Sequence, residues 1–215
     1  MKALSDRILN PLIELAHDRL GLSPNQVSTS GFAVGLLAAI SVALGRIDLG
    51  MLVMALSQII DGLDGGIARR YTLGSPRGAT LEVVYDRLNE LTMFLALVVA
   101  GKASLRMALL AYSAILILTA VERKSHFDPG AKRFMLYFGW LAERLFAVPG
   151  FELALHVVFF ANLAGAAVGM VIAEYRLQKQ IDAQAIRERE AMRALGNPMP
   201  ADDPPTFLSR LFSWL

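Results

Sequence analysis

Long apolar segments separated by short polar links dominate this sequence and restrict what it can fold into. Six such segments cover approximately residues 26–44, 49–60, 81–100, 105–121, 134–148 and 153–173. Hydrophobic residues make up 55% of the 215-residue chain, more than the ~45–50% of a soluble domain. Since a helix of about 20 apolar residues crosses a bilayer, the pattern predicts an all-α integral membrane protein with six transmembrane helices.

An acidic stretch, DGLDGGIARRYTLGSPRGATLEVVYD at residues 61–86, interrupts this pattern. The second and third segments are long enough to span a membrane only if they include it. In helical form, Asp61 and Asp64 share one face, and Glu82 and Asp86 share another. Charged residues at membrane depth are costly and tend to face a cavity. We therefore expect two helices, joined by a link of about a dozen residues, to bring the four carboxylates together.

Four neighbouring carboxylates need cations, because they cannot all stay ionised in a low-dielectric site. The chain has no Cys, and all-oxygen ligands favour Mg²⁺ or Mn²⁺ over Zn²⁺. Gly65, Ala68 and Gly78 would let a phosphate-bearing ligand approach the backbone, and Arg69 can bind phosphate oxygens. These parts are typical of a phosphoryl or phosphatidyl transfer site.

Lys and Arg are distributed unevenly between the links. They concentrate in the N-terminal segment, the second-to-third and fourth-to-fifth links and the tail, whereas the opposite turns hold only Arg46, Lys102 and Arg106. The positive-inside rule then predicts that both termini and the acidic stretch lie on the cytoplasmic side. The net charge of +2 gives no indication of a polyanionic partner, and we expect no nucleic acid.

The two ends of the chain differ from the apolar middle. Residues 1–22 lack the continuous apolar run of a signal peptide and predict an amphipathic helix on the membrane surface. Ser23 and Gln26 have capping-box spacing, with Pro24 at the first helical position, so a six-helix catalytic domain is expected over residues 23–175. Residues 176–215 predict a cytoplasmic helix followed by a Pro-rich tail that ends in a short amphipathic piece.

The acidic stretch has the spacing D-x-x-D-G-x-x-A-R-x8-G-x3-E-x3-D. This spacing resembles the signature of the CDP-alcohol phosphotransferase (CDP-alcohol phosphatidyltransferase) family, integral membrane enzymes of phospholipid synthesis. The family has Asp where this chain has Glu82, and the other positions match. Ser-Pro-Asn at residues 23–25 also resembles the S/T-P-N that opens the first span of the family, so the likeness covers approximately residues 22–176.

The resemblance implies roles for the four acidic residues. Asp61, Asp64 and Glu82 would ligate a pair of divalent ions, Mg²⁺ or Mn²⁺, and Asp86 would also lie near them. Asp86 would act as the general base on the acceptor alcohol. Glutamate is one methylene longer than aspartate, so Glu82 raises the question of whether the ion pair, and with it full activity, is retained.

The resemblance also implies a lipid donor, most often CDP-diacylglycerol. Gly65, Ala68 and Gly78 would make room for the cytidine nucleotide, and Arg69 would contact its phosphates. Asn25 has two interpretations, helix capping or nucleotide contact. The reaction would transfer a phosphatidyl-type group to an alcohol and release CMP, in a bacterial-type inner membrane.

Further features leave alternatives open. Lys132 and Arg133 either bind an anionic acceptor or only anchor the helix by the positive-inside rule. Stripes of small residues at 31–39 and 161–169 indicate close helix packing, within the chain or in the homodimer that we expect. Glycerol phosphate, inositol, inositol phosphate, serine and another phospholipid all remain possible acceptors. Rival functions are a divalent-cation transporter, disfavoured by Arg69 beside the cation path, and a catalytically impaired family member that binds lipid.

Overall fold

The computed structural model describes residues 9–130 and 132–194, which form helices and links with no strand among them. The N-terminal helix α1 covers residues 9–19, with a π-helical turn at Leu15–Arg19. Six further helices follow: α2 at Pro24–Ala43, α3 at Ile47–Arg70, α4 at Pro76–Val99, α5 at Leu105–Ser125, α6 at Phe134–Phe146 and α7 at Gly150–Ala194.

Four of the described helices, α2, α3, α5 and α7, are long and apolar enough to cross a membrane. The predicted all-helical class is therefore confirmed, with four helices that are candidates for membrane spans. The other two expected spans differ for physical reasons. Five charged residues lie along α4, at positions 77, 82, 86, 87 and 90. The 13 residues of α6 extend about 20 Å at ~1.5 Å per residue, less than the hydrocarbon thickness. Six spans therefore remain a prediction.

Capping residues set the starts of α2 and α4. The predicted capping box of α2 is present, since the Ser23 side chain and the Gln26 side chain each accept a backbone N–H of the other. In α4, Ser75 Oγ accepts from Gly78 N at 3.0 Å, and Pro76 occupies the first turn. The link between α3 and α4 is therefore only residues 71–75. It is shorter than the dozen residues expected, because this serine–proline cap starts α4 early.

The apolar core is built from side chains of α2 to α6 and of the first part of α7. It includes five completely buried residues: Phe94, Ile115, Leu136, Phe151 and Leu155. Exposed leucines and isoleucines are common on the outer faces of the same helices, as expected where lipid replaces water. Because α2 packs against both α3 and α4, it brings together the two helices that carry the acidic stretch.

Close backbone approach joins α2 to α3. Ser57 Oγ on α3 donates to the Gly31 carbonyl of α2 at 2.8 Å. A Cβ added at Gly31 would lie 3.3 Å from Ile60 and 3.4 Å from the Asp61 backbone nitrogen. The stripe of small residues in α2 therefore packs within the chain, and this packing fixes the backbone of the first acidic residue.

The N-terminal helix packs against the acidic end of α3. Ile13 is 1% exposed and sits where a Cβ on Gly66 would be. Glu14 accepts from Arg70 Nη2 at 2.7 Å, and Asp18 accepts from the Tyr71 hydroxyl at 2.7 Å. Leu12 and Leu15 of α1, and Leu20 just after its last residue, are exposed. These leucines are the ones that the predicted surface helix would place against lipid.

Contacts divide the chain into two compact units, residues 1–169 and residues 170–215. In the described part of the second unit, side chains pair along the helix, with Gln178 donating to Asp182 and Gln184 to Glu188. The start of the expected surface helix (residues 1–8) and the Pro-rich tail lie outside the described residues. The boundaries at residues 22 and 175 remain predictions.

The turn between α6 and α7 provides a test of packing. A Cβ at Gly150 would overlap the Gly139 carbonyl oxygen and lie 2.8 Å from the Glu143 nitrogen. Overpacking of this kind costs ~1–3 kcal/mol, so Gly150→Ala should lower the melting temperature in detergent by several degrees. Gly74→Ala is the control, because a Cβ there meets nothing within 4 Å. Equal melting temperatures for the two variants would contradict the observed approach.

Candidate active site

A cavity opens where α2 begins, α3 ends and α4 begins. Its volume is about 120 Å³. Two acidic residues, Asp64 and Glu82, lie in its wall beside residues that, apart from Leu73, are small or polar: Pro24, Asn25, Ser28, Gly65, Ala68, Leu73, Gly74, Ser75, Gly78 and Ala79. Six residues that the sequence assigned to the nucleotide or the metals therefore line one cavity: Asn25, Asp64, Gly65, Ala68, Gly78 and Glu82.

Asp64 is buried and held by two hydrogen bonds. It is 4% exposed, and its oxygens accept hydrogen bonds from the Ser28 hydroxyl and from the Gly65 backbone N–H. Ser28 comes from α2, where its hydroxyl also lies 3.0 Å from the Pro24 carbonyl oxygen. These contacts fix the direction of the carboxylate, so that its position depends on the start of α2.

Two glycines, Gly65 and Gly78, form parts of the cavity wall where a side chain would occupy the cavity. A Cβ at Gly78 would lie 3.0 Å from Asn25 Oδ1 and 3.1 Å from Ser75 Oγ, and one at Gly65 would lie 3.0 Å from Arg69 Nη1. The capping of α2 is performed by other residues, and the Asn25 side chain lies on the cavity wall. The cradle therefore fits a ligand that approaches the backbone closely.

Asp61 and Asp86 lie on either side of Arg133. Its Nη2 atom is 2.5 Å from Asp86 Oδ1 and 3.5 Å from Asp61 Oδ2. The side chain of Arg133 is 13% exposed, against 24% for Asp86 and 29% for Asp61. Burial disfavours the charged guanidinium, but the two carboxylates outweigh burial and raise the pKa of Arg133. The start of α6 is thereby joined to α3 and α4.

The four acidic residues of the motif influence one another. All three other carboxylates act on Asp61 by Coulomb repulsion, while Arg133 attracts it. Among residues 9–130 and 132–194, no three His, Cys, Asp or Glu side chains are already arranged to hold a metal ion. The donor chemistry nevertheless fits Mg²⁺ or Mn²⁺, since the cluster offers only oxygen ligands and the glycine cradle leaves room beside Asp64.

Lys132 is directed away from this cluster. Its Nζ lies 2.8 Å from Asp128 Oδ2 and 3.8 Å from Glu122 Oε2. Burial raises the pKa of Asp128, but hydrogen bonds from Lys132 and from the Gly130 N–H outweigh it and keep the pKa below its ordinary value. Of the two basic residues suggested for the acceptor, the structure therefore brings only Arg133 to the motif carboxylates.

Sequence reasoning missed several contributors to the site. Ser28, Gly74 and Ser75 line the cavity, and no motif position points to Ser28, which is 36 residues from its partner Asp64. Ser75 could have been found, because Ser-Pro at residues 75 and 76 is a helix-start pattern of the same kind as Ser-Pro at residues 23 and 24. The pairing of Arg133 with both aspartates depends on the tertiary fold.

Fold and site together define a helical membrane protein with an acidic, glycine-lined cavity at the end of two neighbouring helices. The family model for CDP-alcohol phosphatidyltransferase matches residues 22–137. The chain belongs to the CDP-alcohol phosphatidyltransferase family. The matched region contains the cavity, all four motif carboxylates and Arg133.

Two curated relatives are similar over part of the chain. The bifunctional IPC transferase and DIPP synthase of Rubrobacter xylanophilus is 42% identical over 82 residues, which cover 38% of this chain and 18% of the relative. The archaetidylinositol phosphate synthase of Methanothermobacter thermautotrophicus is 28% identical over 118 residues, covering 55% of this chain and 60% of the relative. The chain thus spans from under a fifth to three fifths of the length of these relatives.

Solved structures support the fold. The phosphatidylinositol phosphate synthase PgsA1 of Mycobacterium tuberculosis, with CDP-DAG bound, has a TM-score of 0.65 at 19% identity and covers 78% of this chain and 94% of its own. The same protein in complex with manganese and citrate has a TM-score of 0.64 at 17% identity, covering 76% of this chain and 87% of its own. The helices of this chain are therefore arranged as in that protein.

The charge balance around Arg133 gives a testable prediction. Arg133→Gln leaves Asp61 and Asp86 without their shared cation, and unpaired buried charges are destabilising, so the melting temperature in metal-free detergent should fall by several degrees. Added Mn²⁺ should raise the melting temperature of this variant more than that of the wild type, because the ion supplies the missing positive charge. Arg106→Gln, at an exposed position, is the control. Identical Mn²⁺ responses in all three proteins would contradict this account.

Proposed function

We propose that the protein transfers a phosphatidyl-type group from a CDP-linked lipid, of the CDP-diacylglycerol type, to an alcohol acceptor and releases CMP. One observation carries this proposal. The motif carboxylates divide into Asp64 and Glu82, which line a glycine-walled cavity, and Asp61 and Asp86, which flank Arg133. Two adjacent half-sites, one for a nucleotide and one for an acceptor, are what a transfer between two substrates requires.

The cavity would hold the cytidine nucleotide of the donor. Gly65, Ala68 and Gly78 leave the wall open to a flat ring or a pyrophosphate, and Asn25 offers an amide on the same wall. Arg69 lies next to Gly65 and is suited to phosphate oxygens because its guanidinium presents a planar fork of donors. The exposed outer faces of the spanning helices would leave the acyl chains of the donor in lipid.

Asp86 would accept the proton of the acceptor hydroxyl. The acceptor oxygen then forms a bond to the lipid-side phosphorus, and the bond between that phosphorus and the CMP oxygen breaks, with CMP taking the electron pair. Arg133, which lies against Asp86, would bind an anionic group of the acceptor by charge-assisted hydrogen bonds. General-base assistance of this kind contributes roughly 10²–10⁴-fold to a rate.

Asp61, Asp64 and Glu82, with Asp86 nearby, would hold two Mg²⁺ or Mn²⁺ ions. When bound, such ions neutralise phosphate oxygens and the charge on a leaving phosphate. The all-oxygen donor set and the glycine cradle support this assignment. The manganese complex of PgsA1 is consistent with it as a property of that relative.

The membrane setting completes the proposal. With α4 and α6 packed against the four apolar helices, six segments would cross a bacterial-type inner membrane, and both termini and the active site would face the cytoplasm. Residues 1–22 would lie at the membrane surface, 23–175 would form the catalytic domain and 176–215 a cytoplasmic extension. A homodimer would use apolar helix faces that are exposed in the single chain.

Asp86→Asn is the direct test of the base. It removes the proton acceptor while keeping the shape of the side chain, so CMP release from CDP-diacylglycerol should fall by roughly 10²–10⁴-fold. Asp182→Asn makes the same chemical change at an exposed position of α7 and should leave the rate unchanged. Normal turnover by a folded Asp86→Asn protein would remove Asp86 from the chemistry.

The replacement of the family's Asp by Glu82 favours a second candidate function, that of an impaired family member that binds lipid without catalysing transfer. We expect instead that the wild type is active and that Glu82→Asp changes its rate by less than about tenfold, or ~1.4 kcal/mol of barrier. This expectation is supported by the position of Glu82, which is exposed and lies on the cavity wall. Its longer side chain therefore has room to adjust. Activity that appears only in Glu82→Asp, measured as CMP release, would establish the impaired state.

A further inference from the structure

Glu90 is a buried acidic residue that has no part in the motif or in the proposed chemistry. It lies one helical turn after Asp86 on α4, and its side chain is 1% exposed. Its Oε2 atom is 3.2 Å from Arg87 Nη1, and the Arg87 side chain is 12% exposed. Moving two charges out of water is costly, and apolar residues in place of a buried ion pair are often equally stable or more so. Stability alone therefore does not account for this pair.

A residue of another helix also holds the Arg87 guanidinium. Arg87 Nη1 donates to Thr119 Oγ1 of α5 at 2.9 Å. The Thr119 hydroxyl in turn donates to the Ile115 carbonyl oxygen at 2.8 Å, which leaves its own oxygen available to accept from Arg87. Glu90 and Thr119 thus hold the same nitrogen from two helices. Together they determine where the rest of the guanidinium lies.

The other terminal nitrogen of Arg87 faces Asp86. Arg87 Nη2 is 3.7 Å from Asp86 Oδ2, whereas Arg133 Nη2 is 2.5 Å from Asp86 Oδ1. The two oxygens of this carboxylate therefore have different cations, one from α4 and one from the residue before α6. Adjacent helix residues do not normally face each other. The contact between Arg87 and Asp86 consequently depends on how the guanidinium is held at its other nitrogen.

We propose that Arg87 is a positioning residue for Asp86 and that Glu90 and Thr119 hold it in that role. This inference rests on the proposed transferase function. When Arg133 binds the acceptor, Asp86 Oδ1 becomes available to take the proton, and Arg87 keeps the carboxylate oriented through Oδ2. A guanidinium suits this role because its donors form a rigid fork, so that one nitrogen is anchored while the other faces the aspartate.

The first test asks whether Arg87 acts through Asp86. Purified full-length protein receives CDP-diacylglycerol, and CMP release is measured with whichever acceptor the wild type uses fastest among glycerol 3-phosphate, inositol, inositol 1-phosphate, serine and phosphatidylglycerol. Arg87→Gln should lower kcat by about 10–100-fold, because a misplaced catalytic group costs up to ~10²-fold. In the Asp86→Asn background, the same substitution should leave the residual kcat unchanged. An equal loss in both backgrounds would overturn the inference, since independent effects add.

The second test separates positioning from substrate binding. Thr119→Val keeps the shape of the side chain but removes the oxygen that accepts from Arg87, whereas Thr119→Ser keeps that oxygen. Thr119→Val should lower kcat by about 2–10-fold, the range expected for one hydrogen bond, and Thr119→Ser should retain the wild-type value. The KM for CDP-diacylglycerol should stay unchanged in both, because neither Thr119 nor Arg87 lines the nucleotide cavity. Equal kcat values in the two variants, or a rise in this KM alone, would contradict the role.

Glu90→Gln removes the negative charge beside Arg87 while keeping the size of the side chain. Its kcat should fall by about tenfold, since Arg87 is then held less firmly and Asp86 is less well oriented. Glu174→Gln makes the same chemical change at an exposed position of α7 and should have the wild-type kcat. A folded Glu90→Gln protein with the wild-type kcat would show that Glu90 does not hold Arg87 in this role.

The outcomes distinguish this inference from the function on which it rests. CMP release by the wild type, with independent losses for Arg87→Gln and Asp86→Asn, would overturn the positioning role and leave the transferase in place. No CMP release with any of the five acceptors would remove both proposals. If Arg87→Gln does not fold, as judged by its melting temperature in detergent, the comparison of Thr119→Val with Thr119→Ser decides the question, because it changes no charged residue.

Discussion

Mutual repulsion of carboxylates in a low-dielectric environment is the constraint on which this structure depends. Four acidic side chains from two neighbouring helices cannot be brought together without compensating groups. The protein provides them through hydrogen bonds and one shared cation. Ser28 and a backbone N–H bind Asp64, and Arg133 lies between Asp61 and Asp86. The packing of α2 and the start of α6 against this cluster is therefore part of the electrostatics of the site.

This compensation also divides the carboxylates into two groups. Asp64 lines the glycine-walled cavity, whereas Asp61 and Asp86, which flank Arg133, are not among the residues that line it. A substrate that brings phosphates and a substrate that brings hydroxyls can then approach the same group of oxygens from different sides. Arg133 immediately precedes the short α6, so under the proposed function this helix would serve the acceptor half of the site more than the nucleotide half.

Much of this arrangement could be predicted from the sequence, because the relevant signals are local. The helical spacing of Asp61 with Asp64 and the Ser-Pro start of α2 predicted the helices that carry them. The length of the α3–α4 link was wrong, because the equivalent cap at Ser75 was overlooked. The different partners of adjacent Lys132 and Arg133 could not be predicted, since each partner comes from a different helix.

The fit of Ile13 over Gly66 has a consequence for how related sequences can diverge. The isoleucine occupies the space where any larger residue at position 66 would place its Cβ, and position 66 lies between the carboxylate at 64 and the alanine and arginine of the motif. A larger residue at position 66 would force the Ile13 side chain to another rotamer or move α1, and a smaller residue at position 13 would leave a void over Gly66. The two sites should therefore covary, with a bulkier residue at 66 accompanied by a smaller one at 13.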